Sequence, residues 1–427
     1  MVAKMLCEAI QNGRYDAVLQ KLYGAAAISC QRARYLEAIT AFEEIYGEGR
    51  NVELYSAPGR TEIGGNHTDH NRGLVMAASI NLDIIAVVAK SKGNTARVTS
   101  KAFLKKDVVE FSSLQPQHEE TGTSAAILRG VAAGICERGG VVGGFDAYTT
   151  SDVLKGSGLS SSAAFEVCMG AVMNGEFNEG RFSPVELGII GQYSENVFYG
   201  KPSGLMDQLA CAVGGAITID FEDPQNPVVR KIPVDLSEYG FSLVITDTKA
   251  DHADLTEDYA SIPTEMKSVA AFFGKSVLRE VEPDEFLRSI PQVRKQVGDR
   301  AVLRAIHFFE ECRRVPILAK SLESGVFEAF LQSIIEGGHS SLEYNQNGYS
   351  LRDCRQQALP LALALSQQVL YGNGAWRLQG GGFAGTIQAF VPDDLLDDYI
   401  QALEHVFGKG ACHLLFIRAD GVTRVEP

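Results

Sequence analysis

The sequence predicts an α+β protein built in two parts. Three observations predict it. Apolar runs of strand length and longer stretches of helical period follow one another in mixed order. Glycine-punctuated polar stretches separate them at several places. The chain has 427 residues, enough for two or three domains with ample core.

Taken in order, residues 1–47 carry a helical period, as in Tyr35-Leu36-Glu37-Ala38-Ile39-Thr40-Ala41-Phe42, and read as a helical arm on the first domain. Residues 52–57 read as a short strand stopped by Pro58-Gly59, and residues 74–80 and 84–89 as two further strands. A helix is expected over 123–137, a strand over 145–150, and helices over 160–174 and 184–197, the last carrying Glu195. Residues 216–221 read as a strand. Asp223-Pro224-Gln225-Asn226-Pro227 reads as the linker, which divides the chain into expected domains 1–225 and 226–427. Beyond it, strands are expected at 241–247, 387–391 and 414–417, and helical periods at 256–274, 299–321, 326–337, 355–370 and 393–406.

Composition narrows the partners. A hydrophobic content of 45% and a charged content of 22% are those of a soluble globular protein. The net charge of −14, with no basic block, argues against nucleic acid and against an acidic membrane surface. It does not argue against a nucleotide, because a cradle of N–H groups, a lysine and a divalent cation can outweigh it locally. The cysteines (7, 30, 136, 168, 211, 312, 354, 412) are scattered without a C-x-x-C pair and read as free thiols of a reducing compartment. With no signal-peptide pattern and no apolar run near the roughly 18 residues of a membrane span, a cytoplasmic protein is expected.

Four stretches carry chemistry. Lys155-Gly156-Ser157-Gly158-Leu159-Ser160-Ser161-Ser162 follows a strand and opens an apolar helix. Glycines permit close backbone approach, serines offer caps and hydroxyls, and the first helical turn presents unpaired N–H groups, so the stretch reads as a phosphate loop. It is neither a Walker A loop nor a dinucleotide fingerprint. Gly59 to Asn71 packs Arg60, His67, Asp69 and His70 between glycines, where function concentrates. His67-x-Asp69-His70 also has ligand-type residues at tight spacing, so a metal site is a second reading, weaker because the other histidines are isolated. Gly200-Lys201-Pro202-Ser203-Gly204-Leu205-Met206-Asp207-Gln208 is turn chemistry leading into an apolar segment. Taken alone, Asp207 is as well explained as a first-turn acid facing the helix dipole. Gly380-Gly381-Gly382-Phe383-Ala384-Gly385 implies close backbone packing, or a tight turn between strands.

In this order, the four stretches resemble the motifs of a galactokinase-type member of the GHMP kinase superfamily. Pro58-Gly59-Arg60 with Gly65-Asn66-His67-Thr68-Asp69 resembles the galactokinase signature. Gly156 to Ala163 resembles the superfamily phosphate loop, Gly204 to Gln208 the segment with the catalytic aspartate, and Gly380 to Gly385 the third motif. The resemblance implies an N-terminal domain like ribosomal protein S5 domain 2 and a ferredoxin-like C-terminal domain, with nucleotide and sugar between them. It implies ATP and magnesium (Mg2+), and phosphorylation of a sugar at its anomeric hydroxyl. By position, Asp207 matches the base and Arg60 its partner. Ser160 and Glu195 match the residues that approach the metal. His67, Asp69, Gly204 and Tyr259 match the sugar ligands, and Lys155 to Ser162 the ATP loop. Phosphoryl transfer needs those parts: an anion cradle, a cation and one carboxylate at the attacking hydroxyl.

The chain departs from the pattern at Asn66, where galactokinases usually have Glu near C6 of the sugar, and at His70, usually Tyr. Glu62 replaces an Asn, Leu154-Lys155 replaces a proline before the loop, Ala384 replaces a Gly, and no aromatic residue near Thr123-Ser124 matches the adenine contact. Asn66 can hydrogen-bond near C6 without the negative charge. The expectation is therefore a cytoplasmic galactose 1-kinase acting on ATP and a small sugar, as a monomer or weak homo-oligomer. The alternatives are the same chemistry on galacturonate, N-acetylgalactosamine or arabinose, a silent sensor of sugar and nucleotide on the same fold, and a metal hydrolase at His67, Asp69 and His70.

Overall fold

The computed structural model describes residues 1–101, 106–154, 158–250 and 255–427. The helical arm resolves into α1 (Ala3–Gln11), α2 (Asp16–Tyr23) and α3 (Ile28–Tyr46). Then come β1 (Glu53–Gly64), β2 (Leu74–Lys90), β3 (Thr95–Ser100), β4 (Asp107–Glu110), α4 (Ser124–Glu137), β5 (Phe145–Ser151), α5 (Ser161–Phe177), α6 (Pro184–Tyr193), α7 (Met206–Val213), β6 (Ala216–Asp220) and β7 (Val228–Ile232). The rest holds β8 (Phe241–Asp247), α8 (Thr256–Phe272), α9 (Pro283–Val297), α10 (Asp299–Glu323), α11 (Phe327–Ser340), α12 (Ala358–Leu370), β9 (Ala375–Leu378), β10 (Thr386–Pro392), α13 (Leu396–Phe407), β11 (Cys412–Leu415) and β12 (Thr423–Arg424).

Among the described residues the first sheet runs β12-β1-β2-β5-β3-β4, with β6 beside β2 and β7 beside β6. Its long strand β2 is apolar on both sides. Ile84, Ala86 and Val88 pack with α4 and α5. The alternate residues Ile85, Val87 and Ala89 pack with α1, α2 and α3. A strand of period two buried on both faces reads as one continuous apolar run, which is what the sequence shows there. The second sheet runs β11-β8-β10-β9, all antiparallel. Val244, Ile387, Ala389 and Val391 face α12 and α13. Leu243, Ile245 and Phe390 face α11 and share a core with the first sheet.

Several expectations change. Residues 74–80 and 84–89 are one strand, because the polar break is absorbed: Asp83 is buried and paired with Arg34 at 2.7 Å and Arg418 at 3.3 Å. β1 runs on through Pro58-Gly59 to Gly64, with register shifts between Pro58 and Arg60 and between Glu62 and Gly64. Residues 223–227, read as a linker, form the turn between β6 and β7. The α6 helix stops at Tyr193 and is continued by a π-helical turn, Ser194–Tyr199, which holds Glu195. The expected helix over 355–370 starts at Ala358. Missed altogether were β3, β4, β7, β9, β12 and α9. The first three are edge or near-edge strands with mixed burial, and α9 contains Pro291 and a strongly charged face. No helix among the described residues is long and apolar enough to cross a membrane.

Candidate active site

The site forms where β1, the start of α5 and the start of α7 meet. Arg60 leaves β1 almost fully buried and clasps Asp207 with both arms of its guanidinium, Nε to Oδ1 and Nη2 to Oδ2, each at 2.8 Å. Its third nitrogen, Nη1, donates to the Gly158 carbonyl. The Arg60 backbone N–H donates to the Leu159 carbonyl at 3.1 Å. One arginine thus joins the phosphate-loop motif to the aspartate motif. Burial pushes the Asp207 carboxyl up, but the Arg60 guanidinium and the Ser160 hydroxyl outweigh it and hold the group below its ordinary value. The carboxylate is ionised at neutral pH and its side chain keeps 32% of its surface open. That opening leaves the carboxylate accessible from the cleft.

The phosphate-loop motif is described from Gly158 onward, and Lys155, Gly156 and Ser157 lie outside the described residues. Leu159 is fully buried. Ser160 takes a left-handed φ of 59° at the N-cap of α5. The expected capping bond is absent: its hydroxyl donates to Asp207 Oδ2 instead. Ser161 and Ser162 open the helix, half-buried and exposed, in the turn whose N–H groups lack intrahelical partners. An anion is favoured there by those donors and by the helix dipole.

A second carboxylate cluster adjoins Asp207. Glu195 is buried; its Oε1 lies 3.1 Å from the Lys201 ammonium and its Oε2 accepts from Gln208 at 3.0 Å. Gln208 also donates to Glu166 Oε2 at 2.9 Å. Burial, and then the neighbouring Glu195, push the Glu166 carboxyl well above its ordinary range. Glu166 Oε1 and Gln208 Oε1 are buried with no protein partner. Sequence reasoning missed Glu166, Gln208 and Lys201 as site residues. The available signal was one acid inside the apolar run of α5.

The signature loop joins the same cleft. His67 has a φ of 58° and its Nε2 lies 2.9 Å from the Gly381 carbonyl. Burial pushes its ring down to about 4, so it is neutral. Asp69 packs against Gly204, where a Cβ would overlap its carboxylate, so only glycine permits the approach. Tyr259 donates to the Gly382 carbonyl at 2.8 Å and meets Phe383 edge-on, with ring centroids 5.2 Å apart. The Tyr259 ring likewise occupies the space a Cβ on Gly381 would need. The third motif is therefore latched to His67 and Tyr259.

Asn66 behaves differently from expectation. It is fully buried and turned into the protein. Its amide donates to Glu62 at 2.9 Å and to the Gly380 carbonyl at 2.8 Å. Its oxygen accepts from Asn347 at 2.9 Å, and from Ser341 and Asn345 at longer range. Its backbone N–H donates to Glu311 Oε2 at 3.2 Å, and His307 Nε2 lies 2.8 Å from its carbonyl oxygen. All of its side-chain hydrogen-bonding capacity goes to the protein.

The metal readings separate. His70 Nε2 stays 3.9 Å from Asp69, and His67 is engaged with Gly381. Among the described residues no three His, Cys, Asp or Glu side chains come together as a metal site, which leaves the hydrolase reading without its ligands. Magnesium makes a smaller demand, since it is bound through one or two carboxylates together with substrate phosphates. The hard oxygens of Ser160 and Glu195, beside partnerless buried oxygens, suit it.

The chain is similar to known proteins over most of its length. The galactokinase galactose-binding signature matches residues 40–90, and the GHMP kinases N terminal domain matches residues 126–215. The galactokinase of Actinobacillus pleuropneumoniae serotype 3 (strain JL03) is 31% identical over 364 residues, covering 84% of this chain and 90% of the relative. The galactokinase of Streptomyces coelicolor is 31% identical over 373 residues, covering 86% and 91%. Among solved structures, galactokinase of Lactococcus lactis complexed with galactose has a TM-score of 0.78 at 22% identity, covering 90% of this chain and 98% of that one. Methanococcus jannaschii mevalonate kinase has a TM-score of 0.61 at 12% identity, covering 86% and 98%. The α+β class and the GHMP kinase fold expected from the sequence hold, and the chain belongs to the galactokinase family of the GHMP kinases.

Proposed function

We propose that the protein transfers the γ-phosphoryl group of ATP to the anomeric hydroxyl of galactose. The observation that carries this reading is the Arg60–Asp207 pair, closed on both oxygens, beside the start of α5 and open to the cleft. Galactokinase relatives and the galactose complex of a fold neighbour supply the sugar.

Asp207 accepts or orients the proton of the attacking hydroxyl, and it is ionised for the task. Arg60 fixes the plane of that carboxylate and places positive charge where the phosphoryl group passes. The N–H groups at the start of α5 hold the phosphates. Glu195 and Ser160 would hold magnesium brought with the nucleotide, which neutralises phosphate charge when bound. His67, Asp69 and Tyr259 face the sugar from the latched loops. With Asn66 committed to the protein, the reading assigns no sugar contact to that residue.

The test is ADP release with magnesium-ATP across galactose, galacturonate, N-acetylgalactosamine, arabinose and glucose. Asp207→Asn serves as the control. Turnover of galactose, abolished by the substitution, is the expected result. Turnover confined to another sugar would move the substrate and keep the mechanism. Binding of sugar and nucleotide without turnover of any sugar would leave a sensor.

A further inference from the structure

Lys201 has no part in the chemistry described above, yet it lies against it. The turn after the Ser194–Tyr199 segment is tied down at its root, where the N–H groups of Gly200 and Lys201 both donate to the Glu195 carbonyl, at 3.0 and 3.2 Å. The side chain then folds back, and its ammonium rests 3.1 Å from Glu195 Oε1. Glu195 is thus held twice by the same residue, once through its main chain and once through its carboxylate.

The two partners differ in their surroundings. The Glu195 side chain is 4% exposed, whereas that of Lys201 is 62% exposed. Among the described residues Lys201 is the one cation within ion-pair distance of Glu195, since Arg60 is occupied by Asp207 and Gly158. A guanidinium in that position would hold a carboxylate with a rigid fork. An ammonium is a hydrated point charge on a flexible stem and can leave for solvent readily. Gln208, by contrast, holds the other Glu195 oxygen from a buried position. The arrangement neutralises a buried acid with a cation that is easily exchanged for another.

We propose that Lys201 is an internal competitor of the divalent cation: it covers Glu195 while the nucleotide site is empty and is displaced when the metal arrives, so it sets the metal concentration at which nucleotide binds. The inference rests on the kinase reading and on Glu195 as the metal-facing carboxylate.

The test is binding of Mn2+ to the full chain in the presence of ADP, followed by loss of the free-ion EPR signal. Lys201→Met, with Lys201→Gln as a second variant, is expected to tighten Mn2+ binding about fivefold, since the half-solvated ammonium no longer opposes it. Lys201→Arg retains the competition and is expected to bind no tighter than the native chain. Glu195→Gln is expected to weaken Mn2+ binding and to make Lys201→Met silent in the double variant. Unchanged or weaker binding in Lys201→Met and Lys201→Gln, with Glu195→Gln still impaired, overturns the competitor role and leaves the kinase reading standing. Undiminished binding in Glu195→Gln removes the metal role from Glu195 and the proposal with it. Native protein that binds no Mn2+ with ADP overturns the kinase reading itself.

Discussion

Arg60 has five N–H donors in a fixed plane, and the structure uses them on one carboxylate and one carbonyl. A lysine there would keep the charge and lose the fork. Arg60→Lys is therefore expected to lower kcat/KM about 100-fold, in line with the loss of a charge-assisted bidentate contact in a closed site. Steady-state kinetics beside a melting curve would separate that from unfolding. On the proposed reading, the same pair is expected to set the acid limb of activity. Burial alone raises the Asp207 carboxyl, and the opposing Arg60 charge lowers it. In the native chain the ionised form therefore persists as pH falls to below the ordinary carboxylate value of about 3.9. Replacing Arg60 with Met removes the largest opposition to burial, so the acid limb of the residual kcat/KM profile should move to higher pH. An unmoved limb would mean that some other group governs it.

The elements around the site are joined by close backbone contacts, and glycine decides whether they close. Gly204 lies in the turn before α7 and faces Asp69, which lies between β1 and β2. A methyl group at 204 would push the Asp69 carboxylate out of place. Gly204→Ala is expected to raise the KM for sugar about tenfold while ADP binding, measured by calorimetry, stays within about twofold, because the proposed function puts this contact on the sugar side. Equal weakening of sugar and nucleotide would show that the turn supports the whole cleft. The same logic explains the third motif, whose Gly380, Gly381 and Gly382 carbonyls accept from, or lie against, Asn66, His67 and Tyr259 in turn. The glycine-rich loop presents successive carbonyls, and the side chains of Asn66, His67 and Tyr259 meet them.

Across the molecule, the two ends of the chain hold the first sheet together. β12 pairs with β1, and Arg418 is fully buried beside Asp83, Ser56 and the Gly421 carbonyl. Arg34 and Tyr23 of the helical arm reach the same aspartate. Removing one partner from a buried ion pair leaves charge uncompensated, so Arg418→Met is expected to cost about 3 kcal/mol, read from urea unfolding at neutral pH. Burial raises the Asp83 carboxyl, but the two arginines outweigh it and hold its folded pKa below the ordinary value. Its contribution is present above the unfolded pKa and is lost as pH falls through the folded one. The difference between native and variant chains should therefore shrink in acid. A difference independent of pH would make the loss one of packing.

How much of this was legible in the sequence follows from the range of each interaction. Local signals reported well: the α5 run, the apolar β2 residues, β8 and the helices α8, α10, α11 and α12 were placed from period and composition alone. Four motifs in order identified the family, because each is a short stretch whose function depends on backbone and side chains close in sequence. What lay beyond the sequence depends on contacts between distant residues. Asp83 reads as a strand break until Arg34 and Arg418, remote in the chain, neutralise it. Asn66 reads as a sugar ligand until Gly380 and Asn347 take up its amide. Lys201 reads as a turn residue until its ammonium is seen on Glu195. The sequence by itself determined the fold class, the family and the two residues, Arg60 and Asp207, that the structure pairs. Tertiary structure alone decided which polar side chains face the cleft and which are consumed within the protein, because a buried hydrogen-bonding group must find its partner wherever the fold brings one.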